Sequence, residues 1–250
     1  MTTPLADPRH WVPIRPEPTR CRPPLRVRCL AGAGGLAIGL ALALLIAMQM
    51  YPPVDLPDPR STPLSNYALT SEGGLFAAAI LLLVTGILGV AGAMALDDAA
   101  AIGILPLIGL GVCGVGLMAV VAFPFDKTPT GQPTTTGWVH IAASGLAFIG
   151  PPLSTLLLAR RHRPAKGCSR LPQIASWLAA TAPGWLAVAL LTSAFGPASE
   201  MPAWRLGGVF ERDLAAADIV AALILTTWTW RGCSCRARTL SRRQRCGSVG

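Results

Sequence analysis

Six apolar runs, each long enough to cross a lipid bilayer, decide most of what this chain can be. A hydrocarbon core of roughly 30 Å needs about 20 consecutive apolar residues in a helix. Such runs occupy residues 29–50, 74–96, 101–123, 138–159, 173–195 and 212–230. Composition agrees, because 52% of the 250 residues are apolar and only 13% charged, where a soluble domain has about a quarter charged. The expected fold is all-α: a polytopic transmembrane helix bundle with six spans across residues 29–230, leaving no room for a second, soluble domain.

Basic residues orient such a bundle, since cytoplasmic loops hold Lys and Arg back from translocation. Segments 1–28, 160–172 and 231–250 carry six, five and six of them, whereas 51–73, 124–137 and 196–212 carry one, one and two. Seventeen against four places both termini and the loop after the fourth span in the cytoplasm. The expected location is the plasma membrane, with multiple passes. The net charge of +9 is then mostly a property of the cytoplasmic face. Membrane lipids with anionic headgroups are its expected partners, and nucleic acid is not.

The first 28 residues and the last 20, 231–250, are basic and lack an apolar period, so both read as disordered tails. The run after Arg28, "CLAGAGGLAIGLALALLIAMQM", exceeds the roughly 7–15 residues of a cleaved signal core and has no clean small-x-small site behind it. It reads as an uncleaved first span. Cys21, Cys29, Cys168, Cys233, Cys235 and Cys246 fall on the predicted cytoplasmic side, where thiols stay reduced, and Cys113 lies inside the third span. The "CSC" at 233–235 lacks the usual zinc spacing and a fourth ligand. Neither a metal nor a cofactor is expected.

Small residues let helices approach in lipid. The candidates are Gly35 and Gly39 in the first span, Gly86, Gly89 and Gly92 in the second, and Gly109, Gly111, Gly114 and Gly116 in the third. Pro106, Pro151 with Pro152, and Pro183 with Gly184 are expected to kink or loosen the third, fourth and fifth spans. Trp138 and Trp204 suit an outer aromatic belt, and Trp228 and Trp230 an inner one.

Sorted by depth, the polar residues converge on the outer face. Ser65, Asn66 and Tyr67 precede the second span, Asp126 ends the third, His140 begins the fourth, and Glu211, Arg212 and Asp213 lead into the last. The short hairpin between the third and fourth spans brings Asp126 and His140 within reach of one another. Asp218 lies about 7–8 Å deeper than Asp213. A charge near a span centre costs about 2.5–3.5 kcal/mol on insertion scales, so Asp218 is expected to face the bundle and pair with Arg212 or His140. Asp97 and Asp98 are expected to mark the solvated cytoplasmic turn between the second and third spans.

The succession "PLSNYALTSEGGLFAAAILLLVTG", "GVGLMAVVAFPFD", "TGWVHIAASGLAFIGPPLSTLLLAR" and "GVFERDLAAADI" resembles the membrane family called domain of unknown function 998, across about residues 30–230. Similar proteins are multi-span bacterial and archaeal membrane proteins. They share a Ser-x-Tyr stretch before the second span, a Phe-Pro-x-Asp end to the third and a His early in the fourth. These correspond here to Ser65 and Tyr67, to Phe123, Pro124 and Asp126, and to His140. Phe125 departs from the small polar residue common in that position, with a slight expected effect. The resemblance implies a fold and a location, and no activity.

Three functions fit these residues. The leading one is non-catalytic: Ser65, Tyr67, Asp126, His140, Arg212 and Asp218 bind a lipid or other amphiphile at the outer face, in an envelope or membrane accessory role. A proton-linked small-molecule transporter is an alternative, since three spans followed by three of opposite orientation is the arithmetic of an inverted repeat. A membrane-embedded hydrolase is another, with His140 as base, Asp126 orienting it and Ser65 as nucleophile. Against it stand the missing G-x-S-x-G elbow and the lack of a three-ligand zinc set. A purely structural role, in which Asp126 and His140 staple the third and fourth spans, is compatible with all three.

Overall fold

A computed structural model of the chain describes residues 23–55, 62–126, 133–161, 173–177 and 203–231. The described elements are helical: α1 (Leu25–Met50), a 3₁₀ segment (Leu64–Leu69), α2 (Gly73–Ile102), α3 (Ile104–Ala122), α4 (Thr135–Arg161) and α5 (Ala203–Trp230). Five of these helices are long and apolar enough to cross a membrane. Their large apolar side chains point outward as well as inward, with Leu36, Val115 and Leu153 among the exposed ones. That is the surface of a helix solvated by lipid rather than water. The chain is therefore a multi-pass membrane protein with five spans among the described residues. Of the expected fifth run, only residues 173–177 are described, as helix. Pro183, Gly184, residues 1–22 and 232–250 of the two tails, the side chain of Trp204, and Cys21, Cys168, Cys233, Cys235 and Cys246 lie outside the described residues, while Leu25–Arg28, expected in the first tail, already belong to α1, where Val27 is buried.

Helix α1 packs chiefly on α2, α3 on α4, and α5 against α1. Glycines create the first two contacts. A Cβ on Gly86 would stand 2.7 Å from the Gly34 carbonyl oxygen, and one on Gly116 would stand 2.7 Å from both the Ala143 oxygen and the Ala147 nitrogen. Backbones this close leave no space for a side chain. The α1 glycine that meets α2 is thus Gly34 rather than the expected Gly35 and Gly39. Gly35 faces Thr226 of α5, and a Cβ on Gly39 or Gly111 would meet nothing.

The α2–α3 boundary also differs from expectation. Asp97 lies within α2, which continues to Ile102, and the chain reverses at Gly103 with φ 86°. The alanines at 99–101 are the best helix formers and carry the helix past the aspartates. Gly103 then takes a conformation that a Cβ would oppose. Pro106 does not kink α3, because it sits in the first turn, where its missing N–H has no intrahelical acceptor in any case. Pro151 and Pro152 do lie inside α4. There the Ser154 hydroxyl donates to the Gly150 carbonyl at 2.8 Å and the Thr155 hydroxyl to the Pro151 and Pro152 carbonyls at 3.0 Å each.

Of the expected aromatic belts, Trp138 is exposed and Trp230 partly so, with the Arg28 guanidinium 5.2 Å from the Trp230 ring. Trp228 is instead 2% exposed and belongs to the core. Two residues of separation turn a helix by about 200°, so neighbours in sequence face opposite media.

Candidate functional site

One end of the bundle gathers the end of α1, the 3₁₀ segment, the end of α3 and the starts of α2, α4 and α5. Its hydrogen bonds begin in the α1–α2 connection. The Thr70 hydroxyl donates to the Tyr67 carbonyl at 2.8 Å and accepts the Glu72 N–H at 3.2 Å. The Asp55 carboxylate accepts the Ser71 N–H at 2.9 Å. These contacts hold the 3₁₀ segment over the helix ends, with Tyr67 fully buried and Ser65 nearly so.

Helix α5 fastens this segment through two adjacent residues. Glu211 accepts the Ser65 N–H at 3.1 Å, and the Ser65 hydroxyl and Leu64 N–H lie close to the same carboxylate. Arg212 turns the other way. Its Nε donates to the Gln49 amide oxygen Oε1 at 2.8 Å, and one terminal nitrogen donates to the carbonyls of Thr62 at 2.9 Å and Gly208 at 2.7 Å. An arginine that satisfies three acceptors, on α1, in the α1–α2 connection and on α5 itself, is a fastening, since its fork of donors is fixed in direction.

At the α3–α4 hairpin, the expected pair divides. The Thr134 hydroxyl donates to Asp126 and accepts the Gly137 N–H at 3.1 Å, capping α4 at its N3 amide. The Thr134 N–H also reaches the Asp126 carbonyl at 3.4 Å. His140 Nδ1 meets the Phe123 carbonyl at 2.8 Å. A carbonyl only accepts, so Nδ1 carries the hydrogen. The Phe125 ring lies beside this imidazole, tilted by 53° with centroids 5.8 Å apart. Asp126 and His140 each link α3 to α4, but separately. No hydrogen bond joins any two of Ser65, Asp126 and His140.

From Leu64 and Glu211 at this end, a cavity of about 60 Å³ runs inward to Ile87, Cys113 and Pro151, midway along α2, α3 and α4. All five helices line it. Its walls are mostly apolar, with Phe76 and Phe148 among them, and its polar side chains are Ser144, Cys113, Glu211 and Asp218. Glu211 and Asp218 are seven residues apart, nearly two turns, so they share a face about 10.5 Å apart along the axis. Asp218 does face the bundle as expected, but neither Arg212 nor His140 pairs with it. Its Oδ1 is buried without a hydrogen-bond partner, because Arg212 and His140 are committed to Gln49, Thr62, Gly208 and Phe123.

In the sequence Glu211 stands among several polar residues with nothing to distinguish it, and no motif ties Ser144 or Cys113 to a site. The seven-residue spacing from Glu211 to Asp218 was the available signal. Of the six residues proposed as a ligand site, Asp218 lines the cavity, Ser65 touches it through Glu211, and Tyr67, Asp126, His140 and Arg212 act within the surrounding scaffold.

Comparison with curated proteins finds no match, and neither does comparison with solved structures. A family model does match, over residues 35–229, which takes in α2, α3, α4 and most of α1 and α5. The chain accordingly belongs to the family described as protein of unknown function (DUF998).

Proposed function

We propose that this protein binds a small amphiphile in the cavity between its helices, as a plasma-membrane protein of six spans with both termini cytoplasmic. The orientation rests on the division of basic residues between the loops, seventeen against four. The binding reading rests on one observation: an apolar cavity shared by all five helices contains an inward-facing carboxylate without a partner. Apolar walls with a few convergent polar groups are the usual makeup of a small-molecule site. The outer-end residues Ser65, Tyr67, Asp126, His140 and Arg212 form the frame that holds this site open.

Native mass spectrometry of gently purified protein tests the reading without a guess about the ligand. A copurifying amphiphile is expected, with occupancy that falls in Ala215→Leu, which places extra volume on the cavity wall between Glu211 and Asp218. An unliganded spectrum for the wild-type protein would overturn it.

Proton-linked transport is the second reading, and Glu211 favours it. Two ionisable groups, rather than Asp218 alone, now line an intramembrane cavity, as carriers require. In proteoliposomes this reading expects gradient-driven uptake that Asp218→Asn abolishes. The hydrolase reading gains no comparable support, since its three residues bond to other groups.

A further inference from the structure

Resting on the amphiphile-binding reading, we propose that the cavity selects a cationic head, an alkylammonium, and seats it between Asp218 and Glu211 with its alkyl tail against the apolar wall. The polar inventory of the cavity is dominated by acceptors. Ionised carboxylates only accept hydrogen bonds, and two of the four polar side chains lining the space are carboxylic acids. Helix α4 adds to this. Pro151 and Pro152 have no N–H, so the carbonyls of Ala147 and Phe148, four residues earlier, lose their intrahelical donors, and both of those residues line the cavity.

Donors are correspondingly scarce. Among the described lining residues there is no Lys, Arg or His. Arg212, adjacent to Glu211, directs its guanidinium to Gln49, Thr62 and Gly208 instead. An ammonium has three donors and a single charge. It would supply the partner that Asp218 Oδ1 lacks while Glu211 keeps the Ser65 amide on its own Oε1. Phe76 and Phe148 place aromatic rings in the same wall, and an aromatic ring attracts a cation more than a neutral group. An ammonium favours the ionised form of these two acids, whereas a carboxylate or phosphate head would oppose it. At about 60 Å³ the space takes the ammonium head and the first carbons of its chain, with the rest of the tail beyond it, and it is too small for a bulky zwitterion.

The test uses the purified full chain in phosphatidylcholine nanodiscs, with radiolabelled octylammonium as probe and empty nanodiscs subtracted. Unlabelled octylammonium is expected to compete at least tenfold more strongly than octanol, and octanoate not at all. Asp218→Asn should weaken binding at least tenfold, while Glu72→Gln, an acid that does not line the cavity, should leave it unchanged. Equal competition by octanol and octylammonium overturns the cationic head yet leaves the amphiphile reading standing. Absence of saturable binding by octylammonium, octanol and octanoate alike removes both. The competition series needs only the wild-type chain, so it decides the matter even if Asp218→Asn fails to fold.

Discussion

Glu211 of α5 accepts the Ser65 amide at 3.1 Å across 146 positions of sequence, and this bond joins the cavity wall to the segment that covers one end of the bundle. Removing one partner of a buried hydrogen bond leaves the other unsatisfied and costs about 1–3 kcal/mol. Glu211→Ala is therefore expected to lower stability by about 2 kcal/mol, and Glu211→Gln, which keeps an acceptor oxygen, by clearly less. Unfolding in mixed detergent, followed by circular dichroism, measures both. Equal losses for the two variants would show that the Ser65 bond is not what Glu211 supplies.

The α1–α2 seam makes a prediction that separates neighbouring glycines. Gly86→Ala forces a Cβ against the Gly34 carbonyl and the Ile38 side chain, and overpacking of this kind costs about 1–3 kcal/mol. Gly39→Ala and Gly111→Ala add a methyl where nothing stands within 4 Å. Both should be neutral or stabilising by up to about 1 kcal/mol, the helix-propensity difference between the two residues. Thermal unfolding of the three variants side by side is sufficient, and a destabilised Gly39→Ala would mean that the face of α1 carrying it is covered.

Trp228 near the end of α5 and Trp138 near the start of α4 provide a similar contrast. Trp228→Ala empties a core position that is 2% exposed, for an expected loss of about 3–5 kcal/mol. Trp138→Ala, at 60% exposed, should cost little. Expression in membranes and melting temperature both report the difference, and a mild Trp228→Ala would contradict the described packing of α5.

These contrasts show how far the residues alone carry the fold. The positions of the five spans among the described residues are legible because insertion into lipid depends on length and hydropathy, which are local properties. The rotation of each helix was not, because it is set by its neighbours. Gly34 and Gly35 look alike in sequence, yet one meets α2 and the other α5. The depth of Asp218 was legible for the same reason that its partner was not. Arg212 is near enough along the chain but lies on a face where Gln49 and Thr62 claim it first. The reversal at Gly103 was missed because charge suggested a turn where alanines sustain a helix.

Asp126 and His140 offer the last test, since proximity across a short hairpin suggested that they pair. The structure gives each its own partner: Thr134 for Asp126, the Phe123 carbonyl and the Phe125 ring for His140. Residues that share no partner add in their effects to within about 0.3–0.5 kcal/mol. A double-mutant cycle of Asp126→Ala and His140→Ala should therefore give a coupling energy within that range of zero. The cycle of Asp126→Ala with Thr134→Val should give at least about 1 kcal/mol, because the second change has no contact left to remove once the first is made. Thr134→Val alone also loses the cap on α4, worth about 1 kcal/mol. Strong coupling between Asp126 and His140, with none between Asp126 and Thr134, would restore the direct pair and with it the geometric basis for a catalytic dyad.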